Sequence, residues 1–178
     1  MSEFIGRENE LRAMAAAFEA GPAAFIPIYG RRRVGKSELI LRFMHGRPGI
    51  YFLGKKAQAG LQIREFLRAA AAALGEPLLA TFPADHWKPA LEAVVARWKG
   101  RGKLILALDE FQWTAEASPE LPSVLQECWD RGWKRGGRIV LILCGSYVGF
   151  MEREVLGRRS PLFGSRTAQI HLRPFGYV

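Results

Sequence analysis

The sequence predicts an α/β fold in which a five-stranded parallel β-sheet is covered by helices on both faces. Apolar runs of strand length alternate along the chain with segments of helical periodicity. Most of these runs are continuously apolar, as expected of strands that are buried on both faces. The 178 residues, 49% of them hydrophobic, suit one substantial core, so we expect residues 1–178 to form a single domain.

The predicted elements follow one another with short connections. The predicted strands are residues 24–29, 49–53, 104–109, 139–145 and 168–172. The predicted helices are residues 8–20, 36–45, 62–74, 87–99, 121–132 and 148–156.

The strongest functional signal is the segment that follows the first predicted strand. It satisfies the pattern G-x-x-x-x-G-K-[S/T] with the residues Gly30, Arg31, Arg32, Arg33, Val34, Gly35, Lys36 and Ser37. In such a loop the backbone N–H groups turn inward and the glycines permit a tight path, which makes a cup for phosphate groups. Lys36 is placed to reach the β- and γ-phosphates, and the Ser37 hydroxyl to ligate Mg²⁺. The sequence therefore predicts a phosphate loop over residues 30–37 that binds ATP or ADP.

Two adjacent carboxylates end the third predicted strand, at the same edge of the sheet as the phosphate loop. Ligands of open parallel sheets bind beyond the carboxyl ends of the strands, where both signals lie. We expect Asp109 to hold Mg²⁺ and Glu110 to orient the water that attacks the γ-phosphate. Ser146, after the fourth strand, either senses the γ-phosphate or caps the next helix, and the two roles are compatible.

Together these residues resemble the archaeal-type ATPases, a prokaryotic group within the signal-transduction P-loop ATPases and distant relatives of the AAA+ proteins. The blocks that carry the resemblance are FIGRENEL at 4–11, the arginine-rich phosphate loop, LDEFQ at 108–112, and CGS at 144–146 with SPLFG at 160–164. The resemblance implies a three-layer P-loop NTPase core with an AAA+-like sheet. It also implies that the strand of the Asp109–Glu110 pair lies beside the strand of the phosphate loop.

The resemblance implies further roles that residue spacing does not reveal. Ile5, Gly6 and Arg7 are expected to pack near the adenine. Arg166 is the candidate for stabilising charge on the transferring phosphoryl group, one residue beyond the position at which family members carry this arginine. The family adds a helical lid, usually a winged helix, after the fifth strand. We expect this lid to be missing from residues 1–178, which would leave the pocket open and hydrolysis slow.

The formal net charge of +9 would draw the protein toward phosphates, nucleic acid or acidic partners. The surplus is spread over several clusters, and residues 31–33 already have a nucleotide to face, so a DNA or protein partner stays an open alternative. By charge alone, these three arginines can approach phosphates or pair with Glu110 and hold it until a partner binds. Phe111 or Trp113, if exposed, would mark a partner surface.

Membrane insertion and metal clusters are not indicated. The N-terminus lacks a basic region followed by an apolar one, and the longest apolar run, residues 139–144, is too short to span a bilayer. The 2 cysteines and 3 histidines lack metal-ligand spacing. We therefore expect a cytoplasmic protein.

These signals lead to two hypotheses of different class. The first is a Mg²⁺-dependent ATPase module in which ATP hydrolysis resets a conformation, in a family that often couples this module to a DNA-binding or nuclease-like part. The second is a nucleotide-binding interaction module that holds ATP or ADP with little turnover and engages DNA or a protein partner. A kinase acting on a small substrate is disfavoured, because tandem carboxylates suit water activation better than transfer to an acceptor.

Overall fold

A five-stranded parallel sheet with helices on both faces forms the centre of the protein in a computed structural model. The structure describes residues 6–162, 164 and 166–175. The α/β fold class predicted from the sequence is confirmed.

The elements alternate along the chain as predicted. The strands are β1 (Ala24–Tyr29), β2 (Gly49–Leu53), β3 (Leu104–Asp109), β4 (Ile139–Gly145) and β5 (Ile170–His171). The helices are α1 (Glu8–Ala20), α2 (Lys36–Met44), α3 (Ala59–Leu74), α4 (Trp87–Ala96), α5 (Phe111–Ala117), α6 (Leu121–Cys128), α7 (Lys134–Gly136) and α8 (Val148–Met151). A 3-10 helix covers Pro77–Thr81, and π-helical turns at Trp129–Trp133 and Glu152–Leu156 extend α6 and α8.

The order of the strands in the sheet is β2-β3-β4-β1-β5. The expectation that the strand of the Asp109–Glu110 pair lies beside the phosphate-loop strand is therefore wrong, because β4 lies between them. All seven residues of β4 are buried, which suits a strand that pairs along both edges, with β1 and with β3. This order brings Ser146, directly after β4, between the end of β1 and the end of β3.

Successive residues of the strands pack into two different layers. Ile26 and Ile28 of β1 belong to the layer that contains Met14 of α1 and Leu39 of α2. The opposite layer is built by α3 to α6, which contribute the buried side chains Phe66, Trp87, Phe111 and Leu125. Because both faces of the sheet are covered, the ends of the strands are left as the places where a ligand can reach the sheet.

Strand β5 is shorter than the predicted 168–172. Before it begins, the Thr167 hydroxyl accepts a hydrogen bond from the Phe25 N–H at 2.6 Å, and the Thr167 N–H donates to the Phe25 carbonyl at 2.8 Å. The Thr167 side chain thus accepts the Phe25 N–H, which would donate to a backbone carbonyl of the neighbouring strand in regular parallel pairing. Regular pairing starts only at Ile170, opposite Ile28.

Helices α5 and α7 were not predicted, and several predicted helices have different bounds. The predicted helix 36–45 ends at Met44, and the predicted helix 121–132 is α-helical only to Cys128. The predicted helix 62–74 begins earlier, at Ala59, and the predicted helix 87–99 ends at Ala96. In the part of the chain that the structure describes, no helix is long and apolar enough to cross a bilayer.

Gly30 lies too close to the backbone after β5 to accommodate a side chain. A Cβ at this position would lie 2.2 Å from the Leu172 carbonyl oxygen, directly after β5. We expect Gly30→Ala to lower the free energy of unfolding by about 1–3 kcal/mol, because β5 or the loop must move. Urea unfolding without nucleotide, followed by circular dichroism, measures this. Gly136→Ala is the matched control, since its Cβ meets nothing within 4 Å. Equal midpoints for the two variants would contradict the prediction.

Candidate nucleotide-binding site

The phosphate loop connects β1 to α2 at the carboxyl end of the sheet. Gly35 precedes α2 with φ of 91°, and Arg33 has φ of 65°, the left-handed region that non-glycine residues rarely adopt. The first N–H groups of a helix have no partners within the helix, and the helix dipole adds positive potential there. The end of this loop is therefore a site for an anion.

Lys36 is the first residue of α2, and its side chain folds back over the loop. It is only 5% exposed, and its Nζ donates a hydrogen bond to the Arg31 carbonyl at 2.6 Å. An ammonium carries three N–H donors, so this bond leaves capacity for phosphate oxygens. The predicted lysine is thus held inside the loop to which it belongs.

Asp109 is fully buried at the end of β3 and accepts hydrogen bonds from three parts of the chain. Its Oδ2 accepts from the Ser37 hydroxyl at 2.5 Å and from the Tyr51 hydroxyl, and its Oδ1 accepts from the Glu110 N–H at 2.8 Å. The structure therefore brings together the two predicted magnesium ligands, Ser37 and Asp109, although β2, α3 and α4 lie between them in the chain.

Tyr51 was missed by the sequence analysis. The only signal was a polar hydroxyl in a strand that turns out to pair with β3, where Tyr51 lies opposite Ala107. Burial, followed by the hydrogen bond to Asp109 and the charge of Asp109, raises the pKa of Tyr51 well above its ordinary value. Tyr51 therefore stays protonated, and its hydroxyl donates a hydrogen bond to Asp109.

The oxygens of Ser37 and Asp109 fit a magnesium ion that is held together with a nucleotide. Mg²⁺ prefers oxygen ligands and usually takes one or two from the protein, the others being phosphate oxygens and water. No group of three or more His, Cys, Asp or Glu that could hold a metal is found among the described residues. The Ser37 hydroxyl and the Asp109 carboxylate, which are 2.5 Å apart, therefore suit a magnesium ion whose other ligands are phosphate oxygens and water.

Glu110 is held in a strained conformation by two neutral donors. Its backbone has φ of 50° and ψ of 46°, a left-handed conformation that costs a non-glycine residue about 1–2 kcal/mol. Its Oε1 accepts from the Ser146 hydroxyl, and its Oε2 accepts from Gln112 Nε2 at 2.6 Å. Both carboxylate oxygens are therefore engaged.

Gln112 closes this network and was not predicted as a site residue. Its Oε1 accepts the Ser146 N–H at 3.3 Å, so Gln112 contacts both Glu110 and Ser146. The available signal was its position two residues after Glu110 in the LDEFQ block. Because Gln112 is 3% exposed, its amide must be satisfied by partners inside the protein.

The three arginines of the loop face outward. Arg31, Arg32 and Arg33 are exposed, and no ion pair between them and Glu110 is found in the described part of the chain. Glu110 is held by Ser146 and Gln112, not by these arginines as the sequence allowed. The exposed side chain of Arg166 donates to the Leu156 carbonyl at 3.3 Å. Its role toward a phosphoryl group stays a prediction.

The segment expected near the adenine lies against the phosphate loop. Arg7 is 6% exposed and donates to the Val34 carbonyl at 3.0 Å and to the Arg173 carbonyl at 2.8 Å. Gly6 precedes it with φ of 97°. Ile5 lies outside the described residues. Contact of these residues with adenine stays a prediction.

A parallel sheet of this order, with a glycine-containing phosphate loop between β1 and α2 and a buried carboxylate ending β3, defines a P-loop nucleotide-binding fold. Residues 4–177 match the ATPase domain found predominantly in Archaea, and the chain belongs to this family. The archaeal-type ATPase family suggested by the sequence is thereby confirmed.

Three known proteins illustrate the likeness. The uncharacterized protein MJECL04 of Methanocaldococcus jannaschii is 32% identical over 174 residues, which are 98% of this chain and 36% of that protein. The Walker-type ATPase PABY2304 of Pyrococcus abyssi is 22% identical with a TM-score of 0.71, over 96% of this chain and 54% of that one. Cdc6p of Pyrobaculum aerophilum is 16% identical with a TM-score of 0.66, over 98% and 47%. At these identities the two structures show the fold, and this chain spans only part of each protein.

The contact between Tyr51 and Asp109 predicts a pH-dependent difference in stability. A tyrosine whose folded pKa is raised contributes stability that is present below its ordinary value of 10.0 and is lost above it. We expect the wild type to be more stable than Tyr51→Phe by about 1–3 kcal/mol at neutral pH, since a hydrogen bond to a charged group is lost. This difference should shrink above pH 10, as urea unfolding at several pH values would measure. Tyr147→Phe removes an exposed hydroxyl and should leave stability at neutral pH unchanged. A difference independent of pH would refute the assignment.

Proposed function

We propose that the chain is a magnesium-dependent ATPase module in which ATP hydrolysis acts as a conformational switch. The observation that carries the proposal is the 2.5 Å contact between Ser37 and Asp109, next in the chain to Lys36, whose ammonium is held against the Arg31 carbonyl of the phosphate loop. An ammonium, a hydroxyl and a carboxylate are the groups with which P-loop sites hold Mg-ATP. Membership of the ATPase family supports ATP as the ligand.

The residues of the phosphate loop bind the phosphates in this proposal. Backbone N–H groups of residues 30–37 surround the phosphates, and Lys36 donates to β- and γ-phosphate oxygens. Ser37 and Asp109 hold Mg²⁺, which neutralises charge on the same oxygens when it is bound. Arg166 is proposed to stabilise charge on the transferred group.

Glu110 orients the attacking water and accepts its proton, and Ser146 responds to the state of the γ-phosphate. Both Glu110 oxygens accept hydrogen bonds, from Ser146 and from Gln112. Glu110 must therefore exchange one of these bonds for a bond to water before it can act as a base. If Ser146 is released from Glu110, the state of the γ-phosphate can change the conformation of the segment that follows β4.

The same restraint favours a second candidate function. A glutamate whose two oxygens are both engaged supports nucleotide binding better than rapid turnover. The alternative is thus a module that holds ATP or ADP and engages DNA or a protein partner. In either case, a lid or winged-helix part outside the described residues would exclude water from the site.

Nucleotide binding should stabilise the protein. At 100 times the dissociation constant, Mg-ATP should add about 2.7 kcal/mol, which corresponds to roughly 5–10 °C in the melting temperature. Lys36→Ala should abolish this shift, because the ammonium is lost. A thermal shift assay measures both. Lys134→Ala, an exposed lysine in α7, is the control and should keep the full shift. A full shift in Lys36→Ala would count against the proposed site.

Hydrolysis should depend on Glu110 separately from binding. Loss of a general base lowers turnover by roughly 100-fold or more, so Glu110→Gln should lose hydrolysis while Mg-ATP still raises its melting temperature. Steady-state phosphate release measures the turnover. Glu120→Gln, which removes an exposed carboxylate before α6, should leave turnover unchanged. No turnover in the wild type, with binding intact, would favour the interaction module.

A further inference from the structure

Two neighbouring aromatic rings at the carboxyl end of the sheet lie between two cations. The Arg32 guanidinium carbon lies 5.7 Å from the centroid of the Tyr147 ring. The Tyr147 and Trp113 centroids are 5.2 Å apart, and Lys56 Nζ lies 5.8 Å from the Trp113 centroid. We call these four residues the cation–aromatic row. Both cations are exposed and Tyr147 is 44% exposed, so the row is open to a ligand.

A cavity of about 480 Å³ lies at the Lys56 end of the row. Trp113 forms one wall, and the start of α3 with the loop before it forms another. The other lining residues are Lys56, Ala57, Gln58, Ala59, Glu116 and Ala117. The cavity thus offers an aromatic surface together with an amide and a carboxylate.

A buried glutamine fixes the two walls of this cavity to each other. Gln62 of α3 is fully buried, and its Nε2 donates to the Ala57 carbonyl at 2.9 Å. Its Oε1 accepts from the Thr114 hydroxyl at 3.2 Å and from the Lys55 N–H at 3.3 Å. Because Gln62 joins the loop that carries Lys56 to the helix that carries Trp113, the cavity is preformed. A preformed site loses less conformational entropy on binding.

The cations, the aromatic rings and the carboxylate of this surface together favour one class of ligand. Spaced cations attract a chain of phosphates, and an accessible aromatic ring stacks on a planar base. Glu116 would repel a phosphate or an acidic side chain inside the cavity but can accept a hydrogen bond from the edge of a neutral base. A duplex keeps its bases stacked and paired, so it would lose pairing and stacking energy before it could offer a base to Trp113, which a single strand does not.

We propose that the cation–aromatic row binds single-stranded nucleic acid, with one unstacked base in the cavity against Trp113. Lys56 and Arg32 contact phosphates on either side of this base. The net charge of +9 favours the same ligand at long range. This function goes beyond nucleotide hydrolysis and does not require it.

The test measures the binding of a fluorescein-labelled oligothymidylate by fluorescence anisotropy, without ATP or Mg²⁺. The wild type should bind, and Trp113→Ala should bind about tenfold or more weakly because stacking is lost. Trp113→Phe, which keeps a ring, should recover most of the affinity. Lys56→Ala should reduce the magnitude of the slope of log K against log salt by about 0.7, as expected for one phosphate contact to a single strand. Lys134→Ala removes the same charge far from the row in sequence and should change affinity less than Lys56→Ala.

Several outcomes would overturn the proposal. One is the absence of binding, and another is equal binding by Lys56→Ala and Lys134→Ala, which would indicate only general attraction by charge. Equal competition by a duplex of the same length, or by polyglutamate, would instead indicate a duplex or an acidic protein as the ligand. If Trp113→Ala does not fold, as judged by its thermal unfolding, Trp113→Phe and the exposed Lys56 variants decide. Because Mg-ATP is absent, failure here is distinguishable from failure of the ATPase.

Discussion

The buried carboxylate of Asp109 determines how the carboxyl end of the sheet is arranged. A carboxylate that is removed from water needs hydrogen-bond donors, and a missing donor is costly. Here the donors come from α2, β2 and the turn after β3, through Ser37, Tyr51 and the Glu110 N–H. Satisfying one carboxylate therefore fixes the start of α2 against two strands. The phosphate loop ends at this point, so its position depends on the same three bonds.

Because Glu110 has a left-handed conformation, the adjacent carboxylates of Asp109 and Glu110 contact different side chains. Asp109 ends an extended strand and faces Ser37 and Tyr51. The backbone then turns at Glu110, α5 begins at the next residue, and the Glu110 side chain meets Ser146 and Gln112 instead. Strain of this kind persists only where surrounding contacts maintain it. The hydrogen bonds of Ser146 and Gln112 supply such contacts, and β4 brings Ser146 there because it lies between β1 and β3.

The local pattern of the sequence was sufficient for the alternation of elements and the bounds of β1 to β4, because β1, β3 and β4 are buried, mostly apolar runs and β2 is a short run preceded by Gly46 and Pro48. It was sufficient for the phosphate loop as well, since that motif is contiguous. It was not sufficient for the order of strands, which depends on pairing between distant segments. It also missed Tyr51 and Gln112, whose hydrogen bonds to Asp109 and Glu110 form only when β2 pairs with β3 and when α5 forms. Helix α5 has seven residues, too few for a periodic pattern to be distinctive.

Two residues of the cation–aromatic row directly follow residues of the nucleotide site in the chain. Trp113 directly follows Gln112, and Tyr147 directly follows Ser146. Consecutive Cα atoms are about 3.8 Å apart, so a ligand that moves the backbone at either ring also moves a residue that holds Glu110. Gln62 limits this movement, since it ties the Trp113 carbonyl and the Thr114 hydroxyl to the loop after β2. Among the described residues no side chain holds Tyr147 in this way, although its carbonyl accepts the Met151 N–H at 3.0 Å, and Tyr147 is the more exposed of the two rings. A ligand bound at the Tyr147 end of the row would therefore release Glu110 most readily. Tyr147 is joined to Ser146 by one peptide bond, so no long chain of contacts is needed.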